Sequence, residues 1–118
     1  MKGEDIAGRL LEFAVRVLRL VRTLRSDAVA RHVSRQPLRA ATSGGANYEE
    51  ARSAESRADF AHKAGVAAKE LSESRYWLRL ISRVELAPKS APGPLIAEAG
   101  ELLAILTASA KTAKRSPT

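Results

Sequence analysis

The sequence predicts an all-α fold on three observations. Ala and Leu are abundant, β-branched residues rarely sit side by side, and apolar residues return at three- and four-residue steps. The alternation of a half-exposed sheet is absent. With 118 residues, the chain is expected to form one domain with a modest core, a size at which association often adds stability.

The first helix is expected over residues 4–25. Ile6, Leu10, Phe13, Ala14, Val17, Val21 and Leu24 form an apolar stripe, flanked on one side by Leu11 and Leu18. Glu4, Asp5 and Glu12 lie toward its start, and Arg16, Arg19, Arg22 and Arg25 toward its end, an order that suits the helix dipole. Together with Arg9, these arginines sweep around the polar side and make a diffuse basic face.

Residues 26–34 fit either a helix or a partly helical connection, with Ala28, Val29 and Val33 as their apolar positions. His32 lacks neighbours at metal-ligand spacing, so it is read as solvated or hydrogen-bonded. The second helix is expected to start near Ser34 as cap, with Pro37 in its first turn. It carries Leu38, Ala41 and Ala46. Gly44 and Gly45 each cost a helix interior about 1 kcal/mol relative to Ala. Close packing against another backbone is the favoured explanation, with a local break as the alternative. A phosphate loop is disfavoured, because no Gly-Lys-Ser/Thr follows and no strand precedes. Asn47 is a candidate to hydrogen-bond a neighbouring chain or helix end. Glu49 and Glu50 close this helix as partners for Arg39, Arg52 or another base; adjacent helical positions point about 100° apart and do not make a converging acid pair.

The third helix is expected from residues 53–56 to about residue 84, capped by Ser53 or Ser56. Phe60, Ala64, Ala67, Leu71, Leu78 and Ile81 form one face, widened by Val66, Trp77 and Val84. Tyr76 and Leu80 point well away from it, so two buried faces are expected: one toward the bundle, one toward a neighbouring subunit. A ligand patch is the lesser reading of the Tyr-Trp pair. His62 could hydrogen-bond Asp59, but no nucleophile accompanies it. Residues 86–94, with three prolines and a glycine, form the clearest connection. The fourth helix follows over residues 95–110 with Ile96, Ala99, Leu102, Leu103, Ile105, Leu106 and Ala110. The bundle domain is placed at residues 1–112, and residues 113–118 are expected to be a flexible basic tail.

Cysteine is absent, which removes disulfides, thiol chemistry and thiolate metal sites. The start of the chain does not resemble a signal peptide, and no uninterrupted apolar run suits a bilayer. A cytoplasmic protein without a membrane partner is expected. The net charge of +7 is uneven: +5 over residues 1–40, zero over 41–87 and +2 over 88–118. Arg9, Arg16, Arg19, Arg22, Arg25, Lys111, Lys114 and Arg115 are therefore the candidate phosphate-contacting residues.

The run from Arg39 to Ala51, RAATSGGANYEEA, resembles the second-helix signature of a bacterial four-helix-bundle family. That family includes proteins encoded in ribosomal-RNA intervening sequences and retroelement accessory proteins. The resemblance continues through Ala54-Glu55-Ser56-Arg57-Ala58-Asp59-Phe60, Ala68-Lys69-Glu70 and Glu73-Ser74-Arg75-Tyr76-Trp77-Leu78. It departs from the family pattern at Gly44, where a bulkier apolar residue is common. It implies an antiparallel up-down four-helix bundle and homo-oligomerisation, with a pentameric ring among the arrangements it allows. One related accessory factor binds nucleic acid and a reverse transcriptase, a role that a shared fold does not transfer.

No set of side chains makes a catalytic centre, cofactor site or metal site. The leading expectation is a non-enzymatic homo-oligomeric assembly or scaffold protein, with Gly44, Gly45, Asn47, Tyr76, Trp77 and Leu80 as candidate packing or assembly residues. A protein partner is compatible with this reading. The alternative is an oligomeric accessory protein contacting RNA or DNA phosphates.

Overall fold

The computed structural model describes residues 2–88 and 90–115. Four helices follow in order: α1 (Gly3–Val21), α2 (Ala28–Arg52), α3 (Arg57–Arg83) and α4 (Pro92–Arg115). Each packs against its sequence neighbour, and α1 closes the bundle against α4. Contacts fix the antiparallel order. Gly3 of α1 lies beside Tyr48 and Arg52 near the end of α2, Lys63 near the start of α3 faces Glu50, and Arg9 of α1 reaches Glu98 of α4. The bundle measures 50 × 21 × 19 Å. Its two long ends are therefore distinct poles: one collects the end of α1, the start of α2, the end of α3 and the start of α4; the other collects the opposite termini.

The stripe of α1 is buried as expected at Ile6, Leu10, Phe13 and Val17, and Leu20 joins it. The helix stops at Val21, short of Arg25, in a turn where the Thr23 hydroxyl donates to the Leu20 carbonyl at 2.7 Å. Val21 and Leu24 remain half-buried against the core.

The start of α2 corrects the sequence reading. Asp27, not Ser34, is the cap: its carboxylate accepts from the Ala30 N–H at 3.0 Å. Ser34 lies within the helix and its hydroxyl donates to the Arg31 carbonyl at 3.3 Å. Pro37 sits well inside α2, outside its first turn. Burial against the core accounts for its tolerance, and the buried Ser74 hydroxyl donates to the Pro37 carbonyl at 3.2 Å.

No break occurs at Gly44-Gly45. A Cβ on Gly44 would stand 2.5 Å from Leu71 Cδ2, whereas one on Gly45 would meet Leu10 at 3.9 Å. Gly44 thus admits a core leucine from α3, and Gly45 faces α1. The helix continues past Asn47, Glu49 and Glu50 to Arg52.

Ser56 caps α3 by accepting from the Asp59 N–H at 3.0 Å. Its core side is alanine-rich: Ala61, Ala64, Ala67 and Ala68, followed by Leu71, Ser74, Leu78 and Ile81. Phe60 is only partly buried and meets Tyr48 edge-on. After α3, Glu85 takes a left-handed conformation at φ 59°, and the Leu86 N–H returns to the Ile81 carbonyl at 3.2 Å.

α4 extends at both ends beyond the expected residues 95–110, so Lys111, Lys114 and Arg115 are helical. The remainder of the expected tail, residues 116–118, lies outside the described residues. By length and a mean hydropathy of 1.2, α4 could suit a bilayer. Instead Leu95, Ala99, Leu102, Leu106 and Ala110 face the core, and Glu98 and Glu101 interrupt the other side.

Candidate nucleic-acid interface

The fold separates the basic residues that the sequence grouped together. Arg16, Arg19, Arg22 and Arg25 stand at one pole, while Lys111, Lys114 and Arg115 stand at the other. Arg9 lies between them and is already engaged. Its Nε and Nη2 donate to the two carboxylate oxygens of Glu98 at 3.1 and 2.7 Å, and Glu101 lies 3.0 Å away. The hydrogen bond to Glu98 is the chief cause that raises the Arg9 pKa, so it serves as a clamp between α1 and α4. Arg25 pairs with Asp27 at 3.3 Å. Arg16, Arg19 and Arg22 make no ion pair with a described residue.

The first pole gains residues that sequence grouping missed. Arg31 and Arg35 arrive from the start of α2, and Arg79 and Arg83 from the end of α3. Eight arginines (16, 19, 22, 25, 31, 35, 79 and 83) therefore share a pole whose described acids are Asp27 and Glu85. Arg31 also donates to the Ser26 carbonyl. The opposite pole mixes its three terminal bases with Glu4, Asp5, Glu49, Glu50, Glu55 and Asp59. There Glu49 pairs with Arg52 and Glu50 with Lys63, at 3.3 and 3.8 Å, and Lys63 also reaches Asp59 at 3.9 Å. Only the first pole carries a large excess of one sign.

The arginines of α1 and α3 lie toward helix C-termini, where the dipole favours cations. Arg31 and Arg35 do not share that explanation. They occupy the first two turns of α2, whose first turn contains no acid. The dipole alone would favour the opposite charge at Arg31, while Arg35, a full turn further on, lies beyond its reach.

An aromatic series borders this pole. His32 meets Trp77 edge-on at 6.2 Å between ring centres, and Trp77 meets Tyr76 edge-on at 5.3 Å. Trp77 is half-buried; its Nε1–H donates to Glu73 at 3.3 Å, and Arg39 holds Glu73. Tyr76 is 60% exposed. It shares a groove of 430 Å³ with Arg79, Leu80, Arg83 and Val84.

The candidate packing residues divide in the same way. Gly44 and Gly45 lie at contacts between helices. The Asn47 side-chain amide donates within its own helix, to the Ser43 carbonyl at 2.9 Å. Tyr76 is exposed and Leu80 half-buried, so α3 presents one outer face beyond its core face. Exposed Leu11 and Leu18 mark a separate surface on α1. Among the described residues no three His, Cys, Asp or Glu side chains converge as a metal cluster.

Comparison with known proteins places this bundle. The family model for the 23S rRNA-intervening sequence protein matches residues 5–108. The chain belongs to that family. A crystal structure of an S23 ribosomal protein family member of unknown function from Bacteroides thetaiotaomicron is 37% identical to this family member. The alignment covers 94% of this chain and 99% of that one, with a TM-score of 0.85. The comparison with curated proteins gave no match. The arginine pole and its aromatic border therefore belong to a member of the 23S rRNA-intervening sequence protein family.

Proposed function

We propose that this family member is a non-enzymatic, homo-oligomeric accessory protein that binds RNA through its arginine pole. The observation carrying the proposal is the placement of eight arginines, from three helices and the α1–α2 connection, at one pole with two acids. Membership of a family described by an rRNA intervening sequence favours RNA as the polyanion. Exposed Leu11 and Leu18 support self-association through the outer side of α1. A closed oligomer would repeat the pole and strengthen weak phosphate contacts through avidity.

Titration of mixed-sequence RNA against the wild-type protein at a series of salt concentrations tests this reading. Phosphate contacts give a log-log salt slope of about 0.7–0.9 per contact. Reversing Arg19 and Arg22 to Glu should weaken binding and flatten that slope, whereas reversing Lys111 and Lys114 should change both less. Absence of binding at low salt refutes the RNA role. A monomeric mass at every dilution refutes the assembly role.

A further inference from the structure

The dipole of α3 accounts for arginines near its end, but not for an exposed tyrosine one turn before them. Trp77 is anchored on one side by Glu73 and on another by a T-shaped contact with the His32 ring. Tyr76 meets Trp77 at an interplanar angle of 83°. Whichever ring contributes its edge, Trp77 leaves at least one face of Tyr76 uncovered. The uncovered face is compatible with the 60% exposure of the residue.

Helical spacing aligns the neighbouring chemistry. Arg79 and Arg83 follow Tyr76 by three and seven residues, placing the two arginines about 6 Å apart along the axis. Both line the groove that contains Tyr76, with Leu80 and Val84 supplying apolar surface. Neither arginine pairs with a described acid. Glu73, the nearest acid in the sequence of contacts from Trp77, is held by Arg39. The groove thus offers an aromatic face followed by two available cations.

We propose that this groove binds an unpaired segment of RNA, with one base stacked on Tyr76 and adjacent phosphates held by Arg79 and Arg83. The proposal rests on the RNA-binding reading above and adds a strand preference and a stacking residue to it. A base inside a duplex has both faces occupied by neighbouring pairs, whereas an unpaired base can be received by an aromatic side chain. Charge complementarity favours nucleic acid over an apolar protein segment here.

The test compares a mixed-sequence single-stranded RNA with a duplex of the same length. Wild-type protein, Tyr76→Ala and Tyr76→Phe are titrated with each, and the solution mass of every variant is measured. Trp77, the single tryptophan of the chain, reports binding beside Tyr76 by its fluorescence. Tyr76→Ala should weaken single-strand binding about tenfold, within the range for loss of one aromatic–base stack. Tyr76→Phe should restore it, and duplex binding should change less than twofold with either variant. Equal single-strand affinity for wild type and Tyr76→Ala overturns the stacking site while leaving RNA binding by the pole intact. Loss of oligomeric mass in Tyr76→Ala also overturns it, because the patch is then a protein interface. No RNA binding by wild type overturns both this inference and the function on which it rests.

Discussion

Gly44 gives a direct test of the packing between α2 and α3. Replacing an interior helical glycine by alanine gains about 1 kcal/mol in helix propensity. At Gly8 and Gly65 a new Cβ would meet no atom within 4 Å, so Gly8→Ala and Gly65→Ala should each show most of that gain. In a chain of this size, 1 kcal/mol corresponds to a rise in Tm of about 4 °C. At Gly44 the new Cβ would lie 2.5 Å from Leu71 Cδ2, and Leu71 is fully buried. Moving that side chain in a close-packed interior costs about 1–3 kcal/mol. Gly44→Ala should therefore range from neutral to destabilising by about 2 kcal/mol once the propensity gain is included. Thermal and urea unfolding at one fixed protein concentration would separate the variants. Leu71→Ala supplies the complementary test: it should itself cost about 2–5 kcal/mol, but it removes the obstructing methyl. In that background Gly44→Ala should become stabilising. Equal gains at Gly44 and Gly65 in the wild-type background would refute the close-contact argument.

Asp27→Ala should lower stability through loss of the α2 cap, whereas Ser34→Ala should be nearly neutral, as measured by urea unfolding. The Ala30 N–H is the main cause lowering the Asp27 pKa below its ordinary 3.8; its contribution is present above that value and lost as pH falls through the lower folded-state pKa. Acid titration of Asp27→Ala should lack this loss. Glu85→Gly should raise stability by about 1 kcal/mol by relieving the left-handed backbone, and it should tighten RNA binding by removing an acid from the pole. Calorimetry and RNA titration check the two effects. Arg9→Met should destabilise by about 1 kcal/mol through loss of its partly exposed pair with Glu98, while leaving RNA affinity within twofold of wild type. Arg31→Glu should leave the helix neutral or stabilise it by about 0.3–1 kcal/mol through the dipole, but weaken RNA binding; weaker folding with unchanged RNA affinity would refute the role assigned to Arg31.

The all-α class and the core stripes were legible because buried positions follow helical spacing. Ile6, Leu10, Phe13 and Val17 on α1, and Leu71, Leu78 and Ile81 on α3, are clear in sequence and buried in the fold. The start of α2 was obscured by Pro37, whose ordinary place in a first turn made Ser34 look like a cap. Asp27 displaced it because its carboxylate satisfies the Ala30 N–H, while burial fixes Pro37 deeper in the helix. The candidate interface was only half legible. Arg19 and Arg22 stood out in a charged run, but Arg31 and Arg35 lay in a stretch whose helicity was ambiguous. Arg79 and Arg83 were separated from them by more than forty residues. Their spacing after Tyr76 was the available local signal; antiparallel packing was needed to bring them to the same pole.

The direction of each helix turns this grouping into a functional argument. Basic residues at the ends of α1 and α3 complement helix dipoles, so their presence alone is explained by folding. Lys111, Lys114 and Arg115 have the same explanation at the end of α4. Arg31 approaches the first pole from the first turn of α2, where that electrostatic preference reverses, and Arg35 joins it from a turn further on, where the dipole no longer acts. Asp27 supplies the cap but leaves the following helical turn without an acid. Arg31 also ties back to the Ser26 carbonyl, but the surface gains its positive charge from a position where the helix dipole does not call for it. That conflict supports the proposed RNA partner, and on the same proposal the exposed Tyr76 beside Arg79 and Arg83 would let this surface discriminate an unpaired base from a phosphate backbone alone.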